Sequence, residues 1–234
     1  PLSMPATAID GVVRDVVRRS AESMPAEDDL AISVFATAGS HAGPSLCIHA
    51  TPIPARLYAV GYELGIRLVT PATHSVPADT LSPQIKTRSR LHWHVAEAQA
   101  ERFDPGARAL LLDRDGFVTE TATGNLFIAS HDGQRIVTPL RSRTLHGISQ
   151  SYVTRLMPQV EEADLHLEDV LAADEVFVTS SVYCLLPVVT INRTPIGDGR
   201  PGTVYRKLLD AWSNAVGVDI AGQMSRMAQG EREA

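Results

Sequence analysis

The chain has 234 residues, 44% of them hydrophobic, with 21 Lys and Arg against 27 Asp and Glu and a net charge of −6. That length supplies one large core or two small ones, and the mild acidity argues against a general nucleic-acid or membrane-surface binder, since both favour a basic patch. Cys47 and Cys184, the two cysteines, cannot make a disulfide scaffold or a four-cysteine zinc site, and no apolar run approaches the roughly 18–20 residues of a membrane span, so a soluble, cytoplasmic, globular protein is expected.

In chain order, Ile9, Val12, Val13, Val16 and Val17 recur at helical spacing and predict an amphipathic helix over 6–20. LAISVFAT (30–37) alternates and reads as a strand; a turn at 39–44 leads to a second strand over 45–49. Pro52 and Pro54 make 50–57 a linker, dividing a small α/β domain (1–55) from a larger one (56–234). Residues 58–74 read as strand, turn, strand, and 88–102 as a helix with Leu91, Val95 and Ala98 on one face.

Three β-rich runs follow: ARALLLD, FVTETATGNLFIAS and QRIVTP, separated by the turns Asp115-Gly116 and Asp132-Gly133. Asp-Gly between such runs predicts hairpins, hence an antiparallel meander. Helices are expected over 147–156, 164–172 and 201–216, and strands over 175–181 and 185–192; the polar tail after Gly222 is expected to fray. The pattern predicts a mixed α/β fold of α+β type rather than a doubly wound one.

Several residues carry candidate chemistry. Lys86, in SPQIKTRSRL, is an ordinary surface lysine or, if desolvated beside Arg88 and Arg90, a Schiff-base lysine. Glu120 lies within a β run, pointing to solvent or buried as the partner of a cationic ring. Leu145-His146-Gly147-Ile148-Ser149 opens a helix, either as a simple cap or as a phosphate cradle of backbone N–H groups. Thr179-Ser180-Ser181 closes a strand with three hydroxyls, a polar turn or further phosphate donors. His92, His94 and Glu97 lack a further ligand cluster nearby, so no metal is expected. No G-x-S-x-G elbow supports a hydrolase. Lysine, carboxylate, helix N-terminus and hydroxyls together fit one cofactor, pyridoxal 5'-phosphate.

Four ordered stretches, IKTRSRL, GFVTETATGNLF, TPLRSRTLHGISQ and ADEVFVTSSVYCLLPV with PIGDGRPG after it, resemble the class IV aminotransferases. These are the fold-type IV pyridoxal phosphate enzymes, among them D-amino-acid and branched-chain aminotransferases and aminodeoxychorismate lyase. The resemblance covers about 9–216 and implies a two-domain fold and a homodimer. It implies that Lys86 forms the Schiff base and shuttles the proton, and that Glu120 pairs with the pyridine nitrogen. Leu145 would pack on the ring. Gly147, Ile148 and Ser149 would cradle the phosphate, with Ser180 and Ser181 completing the pocket.

The chain departs from the family twice. It begins at Pro1 without an initiator methionine, and the family's earlier small-domain residues, with a phosphate-binding arginine, have no counterpart, so that domain reads as incomplete. Arg14, Arg18 and Arg19 stand at the wrong point to replace that arginine. Where the family often has Thr-Arg-Gly for a substrate carboxylate, this chain has Thr37-Ala38-Gly39. The expected activity is transfer of an amino group from a small amino acid or amine to a keto acid. Lys86, Arg90 and Leu91 have a spacing similar to the lyase, which releases pyruvate to give 4-aminobenzoate. Ala38 and the short start would fit a non-catalytic paralogue, against which Lys86 and Glu120 both argue.

Overall fold

The computed structural model describes residues 5–22, 24, 29–41 and 43–233. The chain groups into two units, Pro1–Arg56 with Ser225–Ala234, and Leu57–Met224.

In the first unit, helix α1 (Ala6–Ala21) carries its arginines against acids of its own turns: Arg14 with Asp10, Arg18 with Asp15 and Glu22, Arg19 with Asp15. Exposed pairs at this spacing add only slightly to a helix, because water screens them. Strands β1 (Leu30–Ser40) and β2 (Gly43–Pro52) form an antiparallel hairpin, with Val34 opposite Ile48. The second strand therefore runs on into the expected linker. It stops at Pro52, whose missing N–H ends the ladder.

The second unit starts with a 3-10 turn (Ala55–Leu57, its first two residues belonging to the first unit) and a short helix α2 (Gly61–Leu64). Strand β3 (Ile66–Val69) follows. The expected strand–turn–strand over 58–74 is thus corrected to a helical turn and one strand. Gly65, at φ +74, turns the chain between them, a conformation only glycine adopts without strain.

Helix α3 (Leu91–Phe103) leads to the meander: β4 (Arg108–Leu112), β5 (Val118–Thr121), β6 (Asn125–Ala129) and β7 (Ile136–Pro139). Both Asp-Gly glycines take positive φ, +86 at Gly116 and +71 at Gly133. The middle run is two strands rather than one. It folds back at Ala122-Thr123-Gly124, so that Glu120 pairs directly with Asn125.

Then come α4 (Ile148–Leu156), β8 (Val160–Ala163), α5 (Leu167–Leu171), β9 (Glu175–Ser180), β10 (Cys184–Ile191), β11 (Thr194–Pro195), α6 (Thr203–Val216) and α7 (Ile220–Glu233). The tail expected to fray is helix α7. Ile220, Met224, Met227 and Ala228 recur at i, i+4, i+7 and i+8 and are buried, which a polar average over the tail conceals.

The sheet runs β11-β10-β3-β4-β5-β6-β7-β8, and β9 pairs with both β10 and β6. Six strands therefore close on themselves in the order β10, β3, β4, β5, β6, β9. The pairs β10–β3, β3–β4 and β7–β8 are parallel and the rest antiparallel. All six residues of β9 are buried, and Phe127 and Phe177 stack across β6 and β9 at 5.4 Å. Burial of such aromatic pairs stabilises the ring by several kcal/mol.

Candidate active site

The strand that carries Glu120 is short because the chain must turn immediately after it. The Thr121 N–H and hydroxyl both donate to the Gly124 carbonyl, each at 2.9 Å. A Cβ on Gly124 would lie 2.5 Å from the Thr179 carbonyl oxygen and 2.5 Å from the Tyr183 hydroxyl, so only glycine fits. Tyr183 is buried beneath this turn, bonded to Thr123 and Thr121, and burial pushes its phenol up to about 12.

Glu120 and Asn125 then organise the next loop. Glu120 Oε2 accepts from the Leu145 N–H at 3.2 Å and more weakly from Asn125 Nδ2 at 3.4 Å. Asn125 Nδ2 also donates to the Leu145 carbonyl at 2.9 Å. Leu145 is thus held at both its backbone groups, two residues before Gly147. That glycine, the N-cap of α4, rests on the same asparagine: a Cβ there would lie 2.0 Å from Asn125 Oδ1. No side chain caps α4, so its first-turn N–H groups keep no intrahelical or side-chain partner.

One cavity of about 270 Å³ is lined by Lys86, Glu120, Leu145, Gly147, Ile148, Ser149, Ser180 and Ser181 together. Every residue that the sequence suggested for the cofactor meets there, in a volume near the lower end for small-molecule sites. Ser149 and Ser180 are buried, whereas Ile148 is 84% exposed and Ser181 lies at the open rim.

The electrostatics are those of a site built around charge. Burial pushes the Glu120 carboxyl up to about 7, against the opposing pull of the Leu145 N–H, Arg90 and Lys86. Lys86 stands on the exposed 70–90 loop, yet partial burial of its amine, and then Arg90, hold its pKa below the usual lysine range. A lowered pKa leaves more free amine at neutral pH.

Arg90, at the start of α3, also lines this cavity, donating one N–H to the Ala122 carbonyl and lying over the Trp93 ring at 5.5 Å. It was legible only as a neighbour of Lys86. Asn125 and Gly124 were legible as motif letters, but their roles come from the fold. Glu97 pairs with Arg108 at 3.0 Å rather than with His94. Among the described residues no three His, Cys, Asp or Glu side chains gather as for a metal, and no helix is long and apolar enough to cross a membrane.

Known proteins share this chain's sequence pattern and fold. The family model for amino-transferase class IV matches residues 1–191. Branched-chain-amino-acid aminotransferase-like protein 2 of Arabidopsis thaliana is 34% identical over 152 residues, 63% of this chain and 27% of that protein. D-alanine aminotransferase of Bacillus licheniformis is 32% identical over 112 residues, 45% of this chain and 38% of that one. The chain thus spans well under half the length of these two relatives. A T.th. branched-chain amino acid aminotransferase, solved with pyridoxamine 5'-phosphate, superposes with a TM-score of 0.81 at 25% identity, over 94% of this chain and 73% of that one. A fold-type IV architecture and a family match over most of the sequence lead to one conclusion: the chain belongs to the class IV aminotransferase family.

Proposed function

We propose that this protein is a pyridoxal phosphate-dependent aminotransferase that moves an amino group between small amino acids or amines and keto acids, working as a homodimer as the family resemblance implies. The observation that carries the reading is the single cavity that unites a desolvated amine, a desolvated carboxylate and an uncapped helix N-terminus. The donor set fits the cofactor. Gly147 leaves the cradle open where any Cβ would meet Asn125, and α4 offers N–H groups and its positive dipole end to a phosphate.

When bound, pyridoxal phosphate supplies an aldehyde for amines and an electron-accepting ring. Lys86 would offer its amine to that aldehyde, and at Nζ would later take and return the proton of the substrate's α-carbon. Glu120 would keep the pyridine nitrogen protonated, and the incoming positive charge would relieve the cost of its own ionisation. Leu145, fixed through its backbone by Glu120 and Asn125, would pack on the ring. The N–H groups of Ile148 and Ser149 and the hydroxyls of Ser149, Ser180 and Ser181 would bind the phosphate.

The test is borohydride reduction of the protein loaded with pyridoxal phosphate, followed by peptide mass mapping. The label should fall on Lys86 and vanish in Lys86→Ala; a label elsewhere, or none, overturns the reading. A panel of amino acids with keto-acid acceptors then tests transfer. Pyruvate released from aminodeoxychorismate, with no amino transfer from any donor, would overturn the transferase half.

A further inference from the structure

Two turns line the cavity where the sheet no longer joins them. Asn125 and Thr179 are the last paired residues of β6 and β9 on this side. Beyond that pair lie residues 121–124 on one strand and 180–184 on the other, and both segments contribute to the cavity wall. Behind them sits Tyr183, 4% exposed, which the chemistry proposed above does not use. Its hydroxyl bonds with Thr123 and Thr121 of the first turn and leaves no room for a Cβ on Gly124, while its backbone belongs to the second turn.

Tyr183 is itself held firmly. Its ring packs on Tyr58, with centroids 5.1 Å apart. Its carbonyl accepts from the buried Tyr62 hydroxyl at 2.6 Å and from the Leu185 N–H at 2.6 Å. The second bond closes a three-residue turn centred on Cys184, whose φ of +55 is a conformation that side chains rarely take. Such strain persists only where the surroundings impose it. Tyr62 in turn accepts at its carbonyl from the Tyr205 hydroxyl of α6 at 3.3 Å. A run of tyrosine hydroxyls therefore links α6, α2 and both turns, and Thr123, at the end of the run, is exposed on the cavity wall.

We infer that Tyr183 is a positioning residue that ties the two turns into one preformed wall and fixes Thr123 against the substrate. This rests on the transferase reading above, in which the ring lies by Lys86 and Glu120 and the phosphate by Ser149 and Ser180, leaving Thr123 to the substrate. A wall ordered in advance spares the substrate the cost of ordering it, so the tie is felt in substrate affinity more than in turnover. One hydroxyl hydrogen bond of this kind contributes roughly three- to tenfold.

Two measurements on the full chain test it. Amide hydrogen exchange, followed by mass spectrometry, needs no activity. It is run on Tyr183→Phe, which keeps the ring on Tyr58, and on Thr123→Val and Thr123→Ser. Tyr183→Phe should quicken exchange roughly three- to tenfold in peptides covering both turns and leave β4 unchanged. Thr123→Val should quicken the 180–185 turn, where nothing was altered, and Thr123→Ser, which keeps the hydroxyl, should exchange as the unaltered chain does. Quickening confined to the altered turn, or absent, overturns the inference whether or not the protein binds pyridoxal phosphate. Steady-state kinetics of the loaded protein give the second readout, with an amino donor that the unaltered chain uses. The donor KM should rise roughly three- to tenfold in Tyr183→Phe and in Thr123→Val with kcat within about twofold, and the double variant should be no worse than either alone. A fall in kcat with KM unmoved, or effects that multiply in the double variant, overturns the positioning role. Absence of transfer from every donor by the unaltered chain overturns the transferase reading instead, and the tie between the turns then stands or falls on exchange alone. Should Tyr183→Phe fail to fold, Thr123→Val and Thr123→Ser carry both comparisons, because Thr123 is exposed.

Discussion

Glu120 gives the sharpest test of the electrostatic reasoning, because its consequence appears in stability and needs no activity. Burial raises its carboxyl from an ordinary 4.5 to about 7 in the folded chain. The folded state therefore binds this proton more tightly than the unfolded state does. The resulting stabilisation is fully present below about pH 4.5 and is lost as pH rises through about 7. Each pH unit between those two values is worth about 1.4 kcal/mol, so the loss amounts to roughly 3 kcal/mol. Glu120→Gln keeps the shape and removes the titration. Urea unfolding of the two apoproteins, run in parallel between about pH 4.5 and 8, should show the variant gaining about 3 kcal/mol relative to the parent. Parallel curves, with a constant difference across the range, would refute the claim that the site disfavours an unpaired carboxylate. Saturation with pyridoxal phosphate should shrink the pH-dependent difference, since the ring's positive charge favours the ionised form.

Two further outcomes follow from the same geometry. Gly147→Ala places a methyl group 2.0 Å from Asn125 Oδ1, which must shift and give up its hold on Leu145; unfolding should become about 1–3 kcal/mol easier and cofactor affinity fall about tenfold, and unchanged values for both would refute the role of this contact. Arg90→Gln removes a positive neighbour of Lys86, so the Lys86 pKa should rise and the pH midpoint for its reaction with pyridoxal should move to higher pH; an unmoved midpoint would show that Arg90 is not felt at the amine.

What could be read from the chain alone followed the range of the interactions involved. The Asp-Gly turns announced themselves because Gly116 and Gly133 supply a backbone conformation that few other residues take. Helix α6 lies where a helix is expected over 201–216, and it buries Val204, Leu208 and Trp212. In the 58–74 stretch the short apolar runs suit a helical turn as well as a strand, so local pattern does not separate the two. The break at Ala122–Gly124 was hidden for another reason: Gly124 is required by Thr179 and Tyr183, more than fifty residues later. The site divided likewise. Lys86, Glu120 and the 145–149 loop stand out as residue types in order. The row joining Glu120, Asn125 and Thr179 depends on pairing between β6 and β9, which no local pattern records.

The closed ring of six strands has a consequence for how copies of this chain can meet. Closure leaves only β11 and β8 at the ends of the sheet's path among the described residues. An open strand edge is a template onto which another chain can add, and proteins blunt such edges with brevity, proline and charge. Both ends have these features: β11 is two residues long and ends in Pro195, while the four-residue β8 carries Glu161 and Glu162. Strand addition is discouraged at each end of the sheet, which keeps the ladder that joins Glu120, Asn125 and Thr179 out of exchange with other chains.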